Sequence, residues 1–252
     1  MTGGQKRILV SAFCLLAVAA TFAAVPPIPQ DQAYHQFAEQ RQLLGVPHFG
    51  DVVSNVAFTV IGVWGLWVLA ATASGKAFAA RIWALPYAVF LAGFALVGLG
   101  SAYYHWAPTD ETLLWDRLPM TIAFMGLAGA VIADRLGTGL AKRALLPLLL
   151  AGVGSVIVWR FTGDLRLYGL IQFLPMAVLP LLCLLFPSQG GLHGRALILL
   201  AAFYGLAKAL EYFDVAVWTA TSALISGHTL KHLAAAAAGI FVVRFIATVK
   251  RA

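Results

Sequence analysis

Eight stretches of about 20 mostly apolar residues recur along this chain, and no other feature limits its fold as tightly. The hydrocarbon core of a bilayer is about 30 Å thick, and a helix of about 20 such residues crosses it. The candidate stretches are 8–25, 52–73, 82–104, 116–134, 143–160, 167–186, 195–213 and 226–247. Of the 252 residues, 61% are hydrophobic and 11% charged. A soluble domain carries about 25% charged residues, so too few polar side chains remain here to cover a water-facing surface. The pattern predicts an all-α polytopic transmembrane bundle, with a seven-helix core in 34–252 and one extra N-terminal hydrophobic helix with its outer loop in 1–33. Pro86, Pro119, Pro147, Pro175 and Pro180 lie within or near the stretches. They are tolerable there because neighbouring helices satisfy the freed backbone groups.

The formal charge of +7 invites a nucleic-acid reading. The basic residues, however, sit in short clusters between apolar runs, which is the pattern of membrane topology; no nucleic-acid partner is expected. With the N-terminus in the cytoplasm, Lys6, Arg7, Lys76, Arg81, Arg135, Lys142, Arg143, Arg195, Arg244, Lys250 and Arg251 all fall inside. The outer loops then hold mainly Arg41, Arg160 and Arg166. This asymmetry predicts a multi-pass protein, as of a bacterial inner membrane, with both termini cytoplasmic. The first stretch also resembles a signal peptide, but Thr21 and Phe22 intrude where a cleavage site wants small residues, which favours an uncleaved helix. Cys14 and Cys183 lie inside apolar runs without metal-type spacing, and no disulfide between them is expected.

The topology brings the outer ends of several helices to one membrane level. Ser101, His105, Asp116, Glu211, His228 and His232 fall at that level, from four helices. Ionisable groups at such depth are costly and face a bundle interior or a watery cavity. His228 and His232 are four residues apart, so both rings leave one helical face and can grip one metal ion. Ser101 and His105 have the same offset, and His105 supplies a third nitrogen. Three protein ligands and one water make the open arrangement of a catalytic zinc. Asp116 is then the natural general base and Ser101 a donor to a developing oxyanion. Glu211 and Asp214 are expected to orient the ligand imidazoles through their second nitrogens, and Lys208 to neutralise Glu211. His35, His48 and His193 lie in predicted loops and carry no assigned role. Gly98 and Gly100 are expected to allow close helix packing.

Ser101-x3-His105, Asp116 eleven residues further, and His228-x3-His232 near the C-terminus resemble the alkaline ceramidase family, part of a wider group of seven-helix membrane hydrolases. That group also includes lipid-anchor-remodelling hydrolases and the progestin and adiponectin receptor type. The segments Asp51-Val52-Val53-Ser54-Asn55, Leu206 to Asp214 and Ser226 to His232 are similar to the family's first and last two core helices. The resemblance spans roughly 34–247. It implies a zinc amidase that cuts a ceramide-like membrane lipid into a sphingoid base and a fatty acid. His105, His228 and His232 would bind zinc, and Ser101 and Asp116 would assist. The family also holds calcium near its zinc on an acidic N-terminal stretch. Asp31, Glu39 and Asp51 do not reproduce that spacing, and His48 stands where an acidic ligand belongs, so calcium is not expected.

Other readings stay open at this stage. An ester hydrolase acting on a phospholipid or lipid anchor passes through the same tetrahedral geometry as an amidase. A receptor or transporter is a different class, but transport needs a path to both faces and this cluster lies near one. Haem ligation would leave one histidine idle, because two rings four residues apart on one helix cannot take opposite axial positions. Imidazole ligands also suit iron, nickel and copper.

Overall fold

The computed structural model describes residues 1–73, 83–191 and 194–249. Lys76, Arg81, His193, Lys250 and Arg251 of the charge pattern and histidine set lie outside them. The described residues form α1 (Gly3–Ala24), a short 3-10 turn (Gln32–His35), α2 (Phe49–Val53), α3 (Val56–Ala73), α4 (Ala84–Trp106), α5 (Asp110–Leu136), α6 (Thr138–Thr162), α7 (Arg166–Leu185), α8 (Gly194–Tyr212), α9 (Asp214–Ala220) and α10 (Gly227–Val249). Among the described residues seven helices are long and apolar enough to cross a membrane, with α2 and α3 counting as one. Helices α8 and α9 reach that length and apolarity only together, and they are bent by 77° between them, as in a broken span or a re-entrant loop. The chain is an all-α polytopic membrane bundle.

Each of the eight predicted stretches is occupied by a helix, and the differences lie at the ends. Helix α5 begins six residues before the predicted 116, because Thr109 caps it: its hydroxyl accepts the Thr112 N–H at 3.2 Å, and the Thr112 hydroxyl accepts the Thr109 N–H at 3.0 Å. Such reciprocal capping satisfies N–H groups that the helix itself leaves open. Helix α8 ends at Tyr212, so Asp214 belongs to α9 and not to the preceding helix.

Helices α3, α4, α5 and α6 pack in chain order, α7 lies against α5 and α6, and α10 lies between α3 and α8. The ring is open in its backbone packing between α7 and α8, which are not among the closely packed pairs, and Gln172 Nε2 bridges them by donating to Tyr204 OH at 3.1 Å. Small residues bring the α3, α4 and α5 backbones together. A Cβ at Gly62 would lie 2.5 Å from the Ala95 nitrogen, and one at Gly126 would lie 2.5 Å from the Phe90 nitrogen. Between lipid tails helices gain little from apolar burial against each other, so close backbone approach supplies the contact. The core so formed includes Leu91, Val242, Val243 and Ile246, all fully buried. Helix α1 packs only on the outside of α7 and buries none of its residues.

The segment from Val25 to His48 runs across one end of the bundle and is fastened at several points. Leu165 N–H donates to Ile28 O at 2.9 Å, and Arg166 Nη1 to Val25 O at 2.9 Å. Asp164 ties this corner: Arg166 Nε donates to its carboxylate at 2.8 Å, which holds the carboxyl down at about 2. Further along, Ala38 N–H donates to Asp214 Oδ2 at 2.9 Å and Arg41 Nη2 to Leu224 O at 3.1 Å. The segment therefore roofs the end at which the histidines meet.

Candidate metal centre

The start of α10 is pressed into the α8–α9 bend. A Cβ on Gly227 would lie 2.3 Å from Leu210 O, and Asp214 Oδ1 accepts the His228 N–H at 2.8 Å. This contact sets the rotation of α10 and aims His228 and His232 from one face toward α4. There His105 completes a group in which one nitrogen from each ring lies within 4.8 Å of the others. All three rings are buried, and their centroids are 4.8, 4.9 and 4.9 Å apart. Among the described residues these three form the group of histidine, cysteine or carboxylate side chains able to hold a metal ion.

The donor set fits a metal in two further respects. His105 Nε2 and His228 Nε2 are 3.3 Å apart, and tetrahedral bonds of about 2.0–2.1 Å place ligand nitrogens about 3.3–3.4 Å apart. His232 Nε2 is buried without a partner. Its tautomer follows from the other ring nitrogen. The Ser54 hydroxyl donates to Asp51 O at 3.2 Å, so at 2.9 Å from His232 Nδ1 it accepts that N–H. Nε2 is then left with a free lone pair, as a metal ligand requires. Lys231 Nζ stands 2.9 Å from His228 Nε2 and must withdraw if that nitrogen binds a cation; Glu211 already holds the ammonium at 2.8 Å. Phe37 from the roofing segment lies over the group, with its ring 4.5 Å from His105 and 4.6 Å from His228.

A cavity of about 410 Å³ opens beside the histidines. Its polar end carries Ser101, Asp116, Arg117, Glu211, Lys231 and His232, and Phe90, Phe94 and Leu127 line its depth. The Ser101 hydroxyl interacts with the buried Asp116 carboxylate. Gly98 and Gly100 set this arrangement: Cβ atoms there would meet Thr59 Oγ1 at 2.2 Å and Trp115 O at 2.0 Å. A second cavity of about 370 Å³ shares Phe124, Leu127, Gln172, Leu200 and Tyr204 with the first and runs between α7 and α8. The two adjoin at these residues as an apolar recess beside the histidine group that extends between α7 and α8.

Ser101, His105, Asp116, His228 and His232 thus gather at one end of the bundle. Glu211 and Asp214 have different roles from those expected. Glu211 pairs with Lys208 at 2.6 Å and Lys231 at 2.8 Å, and Asp214 accepts backbone N–H groups; neither carboxylate bonds an imidazole. Ser54 holds the His232 ring instead, and sequence reasoning missed it because it is 178 positions from His232. His35 bonds the Tyr104 hydroxyl at 2.9 Å and Asp110 at 3.0 Å, and His48 bonds Glu39 O at 2.7 Å; both fasten the roof. Of the acidic N-terminal residues, Asp31 caps the 3-10 turn, Glu39 pairs with Arg41, and Asp51 accepts the Ser226 and Thr229 hydroxyls. Compared with known proteins, the chain matches no protein-family model and no curated protein.

Proposed function

We propose that this protein is an integral-membrane, zinc-dependent lipid amide hydrolase of the ceramidase-like type, which releases a fatty acid from an N-acyl sphingoid lipid. The observation that carries the proposal is the convergence of His105, His228 and His232 within 4.8 Å, next to an apolar recess whose polar end holds Ser101 and Asp116. Three imidazoles suit catalytic zinc, which takes a water or substrate as its fourth ligand, and the 3.3 Å nitrogen spacing agrees. Bound there, zinc would supply a Lewis acid and lower the pKa of a water to about 7.

The chain's own groups do the rest. The recess takes the acyl chain laterally from the bilayer through the open side between α7 and α8, and presents the scissile carbonyl at its polar end. Ser101 donates its hydroxyl to the carbonyl oxygen as negative charge grows there. Asp116 accepts the proton of the attacking water and returns it to the leaving amine. Phe37 and the roofing segment exclude bulk water, which strengthens both interactions. The distribution of basic residues supports an active site at the extracytoplasmic face with cytoplasmic termini.

The test is elemental analysis of purified protein, followed by turnover of an N-acyl sphingoid lipid and of its ester-linked counterpart. Bound zinc and preferential release of fatty acid from the amide are expected. Preference for the ester would reassign the substrate but keep the chemistry. His232→Ala is expected to lose metal and turnover together. Undiminished hydrolysis by a folded, metal-free His232→Ala protein would refute the scheme.

A further inference from the structure

Arg117 has no role in that scheme, yet it is buried at the polar end of the cavity. Its guanidinium lies against three aromatic rings, 4.2 Å from the Trp159 centroid, 4.6 Å from Tyr168 and 5.8 Å from Tyr34. One edge is fixed, since Nη2 donates to Gln30 Oε1 at 2.7 Å. The other edge is unpaired, for Nη1 is buried with no hydrogen-bond partner. Among the described residues no carboxylate forms an ion pair with Arg117. Asp116 precedes it in the helix, and successive residues on a helix point about 100° apart.

Asp116 acts on Arg117 through space without touching it, and a buried cation with no carboxylate in contact is costly. Stacked rings stabilise the faces of a guanidinium, but they cannot accept its in-plane N–H groups. Those of Nη1 call for an oxygen acceptor lying in the guanidinium plane, which is the way this group binds carboxylates and phosphates. The remaining charges give the same sign. Lys208 and Lys231 both engage Glu211, so the cavity's polar end carries three cations, Arg117, Lys208 and Lys231, against two carboxylates, Asp116 and Glu211.

We propose that Arg117 is an anion-binding residue that selects lipid amides bearing a carboxylate or phosphate on the head group, with the acyl chain in the recess and the anion on Nη1. This rests on the hydrolase reading for the cavity's role as the substrate site. It keeps the lipid amide bond of that reading but departs from it on the head group: an N-acyl amino acid or a phosphorylated N-acyl amine is preferred over a neutral ceramide.

The test is binding of a long-chain N-acyl glycine, its neutral carboxamide and a long-chain alkyl phosphate to the full-length protein in neutral detergent, measured by titration calorimetry. Wild type is expected to bind one or both anions at least about tenfold more tightly than the carboxamide, the scale of one charge-assisted hydrogen bond; which anion binds more tightly identifies the head group. Arg117→Gln is expected to remove the preference. Arg117→Lys, which keeps the charge but loses the flat fork, retains part of it. The preference persists in His232→Ala, which separates it from the metal and from turnover. Equal affinity for all three ligands in wild type overturns the proposal without recourse to a variant. So does full preference in Arg117→Gln or Arg117→Lys, or loss of preference in His232→Ala. Absence of hydrolysis with the preference intact would instead count against the hydrolase reading alone.

Discussion

The hydroxyl of Ser54 decides which nitrogen of His232 faces the other two rings. Replacing Ser54 with Ala leaves Nδ1 without its buried partner, so the ring is free to change tautomer or turn. Loss of such a supporting contact typically lowers metal affinity by about 10- to 100-fold. A Ser54→Ala protein is expected to show that loss in a competitive chelator titration while its helical circular dichroism is unchanged; wild-type affinity would mean that the hydroxyl does not set the tautomer. At this scale the pairing of His228 with His232 was legible from spacing, because four residues on a helix bring two side chains to one face. Ser54 was not, since its contact with His232 joins positions 178 apart. Nor were the Glu211 and Asp214 contacts. Lys231 and the backbone at Ala38 and His228 compete for those carboxylates, and only the folded chain fixes which partner is within reach.

Helix α4 reaches α5 through glycine, and the approach is closest where the site lies. A Cβ at Gly100 would sit 2.0 Å from the Trp115 carbonyl, one residue from both Ser101 and Asp116. Backbone cannot yield as a side-chain tip can. Gly100→Ala is therefore expected to destabilise the bundle by about 1–3 kcal/mol, the usual cost of overpacking, and to reduce turnover by separating Ser101 from Asp116. Gly154→Ala, on the open surface of α6 with nothing within 4 Å, serves as the control and should melt no earlier than wild type. Thermal denaturation in detergent measures both, and equal melting of the two variants would contradict the packing argument. The bend between α8 and α9 was not legible in the apolar pattern. Asp214 turns the chain there because its carboxylate holds both the start of α10 and the roofing segment.

Taken whole, the molecule is a ring of helices closed on most sides and left open between α7 and α8, with α1 placed outside it against α7. A helix with no buried residue adds little to a bundle's cohesion. Deleting residues 2–24 is expected to keep bound metal and to move the melting temperature by no more than about 4 °C, near the effect of 1 kcal/mol in a protein of this size. A larger shift, or loss of metal, would show that α1 braces the site.

Length and hydropathy of the apolar stretches sufficed to determine a helical membrane bundle, because the bilayer leaves backbone groups few ways to be satisfied and helices satisfy them locally. Four-residue spacing likewise sufficed to pair His228 with His232 and Ser101 with His105, since helix geometry is local. The tertiary structure decided what depends on distance through space. It brought Ser54 to His232, laid Phe37 over the histidine rings, tied Glu211 to two lysines and left one edge of Arg117 without a partner. Each of these depends on how helices rotate and cross, and those angles are set by packing between segments far apart in the chain.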